Sequence, residues 1–171
     1  MPAPKVAKQP AQPFQLSLHI RHPSIDPLEI SRELQVEADE SFGAGQPRKS
    51  DTGVTAATSL HRESYWVATL DVAFLRRSSE SLGPALAGSF VSALAAAASV
   101  DRTAEAFIGV TCARLVSRNS DFLRRVREEG GSVSLVAVVS GGERFAFRLR
   151  PELSRHLAEL GITLDIELSG E

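Results

Sequence analysis

Four histidines, one cysteine and a few acidic pairs are the residues of this chain with chemical potential. The histidines are His19, His22, His61 and His156. A metal site needs several such ligands converging, usually with a carboxylate. His19 and His22 stand three apart on or beside a strand, a spacing that sends them to opposite faces. No Cys-x-x-Cys or His-Glu-x-x-His spacing occurs, so no metal and no cofactor are expected. His22 precedes Pro23 and reads as a turn residue with local hydrogen bonds. Asp26 and Glu29 have the spacing of paired acids for general acid–base work. Capping of a helix that starts at Pro27 accounts for both without a further assumption. Cys112 lies among apolar neighbours and reads as a buried, inert thiol. Gly141-Gly142 falls in a turn and not before a helix, so it is not a phosphate loop. No Gly-x-Ser-x-Gly elbow is present.

The segment from Glu37 to Arg62 holds Gly, Pro, Ser, Asp and Thr without a period and reads as a long loop. Loops of that length in a compact domain tend to carry function. Its candidate binding residues are Arg48 and Lys49, then His61 and Arg62, with Trp66 just beyond. Arg48 suits a bidentate contact to a carboxylate or phosphate, and Trp66 suits an apolar or stacking anchor. Two structural readings stand beside these. Trp66 is in phase with Ala68, Leu70 and Val72, which would place it in a core. Arg48 would serve equally to tie the loop down through a salt bridge.

The elements that must position these residues follow from periodicity. Phe14, Leu16, Leu18 and Ile20 alternate with Gln15, Ser17, His19 and Arg21, a half-buried strand. Asp26 as N-cap and Pro27 at the first helical position open a short helix with Leu28, Ile30 and Leu34. Tyr65 to Phe74 alternates again as a strand. A mostly helical region runs from about Glu80 to Glu129, although Phe107 to Thr111 is also compatible with a short strand. Gly130-Gly131 stops that region. Val133 to Val139 reads as a strand, Ser140 to Glu143 as a turn and Arg144 to Arg150 as the return strand of a hairpin. Pro151 starts a helix with Leu153, Leu157 and Leu160, and Ile162 to Leu168 is the last strand. The order is β-α-β-α-α-β-β-α-β. It predicts an α+β fold with a mostly antiparallel sheet and helices packed on one face.

Composition sets the bounds. A chain of 171 residues, 43% apolar and 23% charged, suits one globular domain over 14–171. Residues 1–13, rich in Pro, Ala, Gln and Lys, read as a flexible tail without the apolar core of a signal peptide. A net charge of −2 gives no general attraction to nucleic acid or anionic lipid. Ser81 to Val100 has no charged residue, a length that approaches a membrane span. Its large residues Leu82, Leu86, Phe90 and Leu94 form one narrow stripe, the pattern of a packed helix. A single cysteine fits a cytoplasmic location.

Several of these features occur together in a known family. The first strand runs into His22-Pro23-Ser24-Ile25-Asp26-Pro27 and a short helix ending near Leu34. A Phe42-Gly43-Ala44-Gly45-Gln46-Pro47-Arg48 segment and a strand opening on Tyr65-Trp66 follow. Pro151-Glu152-Leu153, Leu160-Gly161-Ile162 and the closing strand complete the set. On these residues the chain resembles the bacterial family Domain of Unknown Function 4279. The resemblance implies a small α+β domain and supplies no catalytic residues.

Three functional readings follow. The first is a non-enzymatic protein-binding or interaction module, of the kind that includes immunity proteins, with another protein as partner and neither nucleic acid nor membrane. The second is a small hydrolase or transferase using His22, Asp26 and His61. The third is a self-associating structural module, a homo-oligomer joined by an edge strand or the Ala-rich helix.

Overall fold

The computed structural model describes residues 14–48, 59–70, 100–140, 149 and 151–169. They form an α+β fold around one five-stranded mixed sheet. In chain order the elements are β1 (Phe14–His22), α1 (Pro27–Leu34), β2 (Glu40–Phe42) and β3 (Ser64–Leu70). The long α2 (Val100–Glu128), β4 (Ser132–Ser140), α3 (Pro151–Leu160) and β5 (Ile162–Ser169) follow. The strands lie in the order β2-β3-β1-β4-β5. All neighbouring pairs are antiparallel except β4 with β5.

The alternation read in the sequence becomes two unlike faces. Leu16, Leu18 and Ile20 of β1 stand level with Leu70, Ala68 and Trp66 of β3 and with Ala137, Leu135 and Val133 of β4. All nine are buried, and they join Ile30, Leu34, Ile108, Leu123, Val126 and Leu157 from the helices in one core. The described helices therefore share this face.

Local signals shape each helix. Asp26 accepts from the Leu28 N–H at 2.9 Å, and Pro27 follows at the first position, as expected for an N-cap. The C-terminus closes on Gln35, whose φ of +55° is left-handed; the Val36 N–H reaches Ser31 O at 3.1 Å. That is a Schellman closure made without glycine. Asn119 donates to Glu33 O at 2.8 Å and Arg125 pairs with Glu29 at 2.8 Å, binding α1 to α2.

Phe107 to Thr111, compatible with a strand by sequence, is helical. Ile108, Thr111, Cys112, Leu115, Phe122 and Val126 are all buried. Their three- and four-residue steps keep one side of α2 in the core. The helix ends at Gly130 (φ +88°) and Gly131, whose N–H reaches Val126 O at 2.8 Å.

One further expectation changes. The stretch 37–62 is not a bare loop. It contains β2, and its sides continue to pair beyond it: Gly45 N–H to His61 O (2.8 Å), His61 N–H to Gln46 O (2.9 Å) and Arg48 N–H to Ser59 O (3.0 Å). Gly45, with φ +78°, supplies the left-handed residue of the Gly43–Gln46 turn, closed by the Gln46 N–H to Gly43 O at 3.2 Å. Both edges of β4 are taken, by β1 over 132–139 and by β5 over 133–140. A parallel partner demands a crossover, and α3 supplies it. Residues 141–148 and 150, expected to form the turn and return strand, lie outside the described residues, as do the tail, the 80–99 part of the helical region and the end of the 65–74 strand.

Candidate functional site

The face of the sheet opposite the helices carries the polar side of each strand. The register arranges it in rows. One row runs Glu40, Val67, His19, Ser134, Thr163. On one side of it stand Phe42, Tyr65, Arg21 and Ser132. On the other stand Thr69, Ser17, Val136 and Asp165. Ser17, His19, Tyr65, Val67, Ser134, Val136 and Val138 are all partly exposed.

His19 is the centre of this open face. Its Nε2 lies 2.8 Å from Ser17 Oγ and its Nδ1 lies 3.0 Å from the Tyr65 hydroxyl. The Ser17 hydroxyl donates to Val136 O at 3.5 Å. A neutral imidazole donates from one ring nitrogen and accepts at the other, and both hydroxyls can take either role, so both contacts are satisfied in either tautomer. Partial burial and the Arg21 guanidinium lower the His19 pKa, against the opposing effect of Glu167 and Asp165. Burial, then Glu40, raises that of Tyr65 against the pull of Arg21. The ring is therefore held neutral.

An aromatic corner adjoins it. Phe42 stacks on His61 with centroids 3.6 Å apart and leans on Tyr65 at 5.2 Å. The Arg21 guanidinium sits 5.5 Å from the Tyr65 centroid and pairs with Glu63 at 3.1 Å.

The Ser17–His19 distance matches that of a nucleophile and its base. The described residues around the pair do not complete such machinery. The third group is a phenol, where a triad uses a carboxylate acceptor. An oxyanion needs free N–H donors, while β1 is paired on both edges throughout this region.

The residues proposed from sequence separate. His61 is in the aromatic corner, and Arg48 lies on the neighbouring ladder, level with Ser59. Arg62 is exposed. Lys49 lies outside the described residues. Trp66 is not a surface anchor: it is completely buried, and its indole N–H donates to Ser31 Oγ at 2.9 Å, joining β3 to α1. The indole was in phase with the apolar side of the strand, and that phase decided its place.

His22, Asp26 and His61 share no hydrogen bond. The His22 ring is buried, and its Nδ1 accepts from the Ser24 N–H (3.1 Å) and the Ile25 N–H (2.8 Å). Its Nε2 lies 3.3 Å from Glu129, without hydrogen-bond alignment. Asp26 caps α1. Among the described residues, no group of three or more His, Cys, Asp or Glu is placed to hold a metal. Burial raises the Cys112 thiol to about 12, so it is inert as a nucleophile. None of the described helices is long and apolar enough to cross a membrane.

Sequence reading overlooked Ser17, His19 and Tyr65 as a group. His19 and Ser17 were legible as one side of a strand. Their meeting with Tyr65, 46 residues from His19, depends on the β1–β3 register. Comparison of the chain with protein-family models, with curated proteins and with solved structures finds no match.

Proposed function

We propose that the domain is a non-enzymatic protein-binding module that uses the open face of its sheet. The supporting observation is the Phe42–His61–Tyr65 cluster with Arg21 beside it, on a face that no described helix covers. Aromatic residues and arginine are the side chains that dominate the energetics of protein interfaces. Valines 67, 136 and 138 give this face aliphatic ground between its polar groups. The resemblance to Domain of Unknown Function 4279 supports a small module of this kind and adds no reaction.

Affinity capture from native lysate tests the reading, with the wild type, Val67→Lys and Arg48→Ala as baits. Val67→Lys sets a charge in the middle of the face, and its flexible stem leaves the core untouched. The expected result is a protein held by the wild type and lost with Val67→Lys, at unchanged circular dichroism. Loss with Arg48→Ala alone would move the site to the 45–61 ladder. Equal capture by all three baits would overturn the reading.

A further inference from the structure

Three exposed carboxylates flank the open face from opposite edges. Glu40 stands on β2, at one border of the sheet, and Asp165 and Glu167 stand on β5, at the other. None of the three has an ion-pair partner among the described residues. Their fields reach the centre of the face: Glu40 acts on Tyr65, and Glu167 and Asp165 act on His19. Among the described residues of these strand rows the one Lys or Arg is Arg21, already paired with Glu63. The face is thus acidic at both borders, with aromatic and aliphatic ground between them.

We infer that the occupant of this face is a basic amphipathic helix of a partner protein, with an apolar stripe over Tyr65, Val67 and Val136 and Lys or Arg side chains reaching Glu40 at one border and Asp165 and Glu167 at the other. This rests on the protein-binding reading above and names the chemistry of the partner. Charge complementarity selects the sign. Backbone hydrogen bonding selects the helix. The inner strands β3, β1 and β4 have neighbours on both sides and their N–H and C=O groups engaged within the sheet, so an extended segment laid across the face would bury its own amides without partners. A helix brings its backbone bonds with it. Four strand-to-strand steps separate β2 from β5, about 19 Å at the usual spacing, which a helix covers in about 13 residues. A second copy of this chain would bring the same unpaired acids to the contact and repel itself.

The test uses three synthetic helical peptides on the full chain, labelled with ¹⁵N. One has leucines along a central stripe and lysines near both ends. The second replaces the lysines with glutamates. The third keeps the lysines and replaces the leucines with serines. The expected result is that the first peptide binds, with amide shifts at Tyr65, Val67, Val136 and Asp165, and that high salt weakens it. The charge-reversed peptide binds at least about tenfold more weakly, and so does the first peptide to the Asp165→Lys/Glu167→Lys double variant. The serine peptide binds weakly, since it lacks the apolar stripe. If the glutamate peptide binds the same residues more tightly, the charge assignment is overturned and the protein-binding face stands. If no peptide shifts these residues, the basic-helix proposal is overturned, and the capture experiment judges the face independently. Concentration-dependent dimerisation that broadens the same amides without peptide also overturns the proposal, in favour of self-association.

Discussion

The Tyr65 hydroxyl lies 3.0 Å from Nδ1 of His19, across the boundary between the central strand β1 and its neighbour β3. That bond, with Ser17 on the other ring nitrogen at 2.8 Å, fixes a neutral imidazole in the middle of the open face. A neutral ring there carries a consequence for pH.

The His19 pKa is lowered in the fold from its ordinary 6.5, through burial and then Arg21. Between the two values the unfolded chain binds the extra proton, so stability rises with pH across that window. The contribution is complete above pH 6.5 and is lost as pH falls through the window to the folded value. Thermal unfolding between neutral and mildly acid pH measures it. The wild type is expected to lose more stability than His19→Gln as pH falls. Parallel losses in both proteins would show that His19 does not contribute.

The buried turn after β1 should be intolerant in two separate ways. His22→Ala leaves the Ser24 and Ile25 N–H groups without their acceptor and opens a void, a loss of about 2–4 kcal/mol. His22→Asn restores an acceptor beside the same turn and is expected to lose less. Gly131→Ala fails for space: its Cβ would stand 2.7 Å from Val126 O and 2.8 Å from Arg21 O, both main-chain atoms. Overpacking of this kind costs about 1–3 kcal/mol. Urea unfolding of the three variants provides the measurement, and a neutral Gly131→Ala would contradict the packing described here.

Gln35 offers the opposite case. It is the one non-glycine residue with positive φ among the described residues, at +55°. Gln35→Gly removes the left-handed penalty and is expected to stabilise the domain by about 1 kcal/mol. A rise in the urea midpoint at constant slope would show it. Gly45→Ala is the control of opposite sign. No atom lies within 4 Å of the added Cβ, yet φ +78° strains it, so the loss there comes from backbone conformation alone.

What was legible in the sequence was local. Alternation in 14–21 told which side chains of β1 enter the core, and Asp26-Pro27 told where α1 begins, because both signals act over a few residues. The same alternation carried Trp66 into the core. The positions decided by tertiary structure are those set by partners distant in the chain. β4 lies between β1 and β5 and takes β5 as a parallel neighbour, a pairing with a segment more than twenty residues further along the chain. Ser17, His19 and Tyr65 meet because β1 and β3 pair in one register; a slip of one residue would send Tyr65 to the helix side. The sequence by itself determined the class of fold, the N-cap of α1 and which side chains β1 and β3 bury; it did not do so for β5, where Ile166 and Leu168 share the phase of Ile162 yet are exposed. Only the pairing of the strands decided which polar side chains face one another on the open side, since register is a property of two segments together.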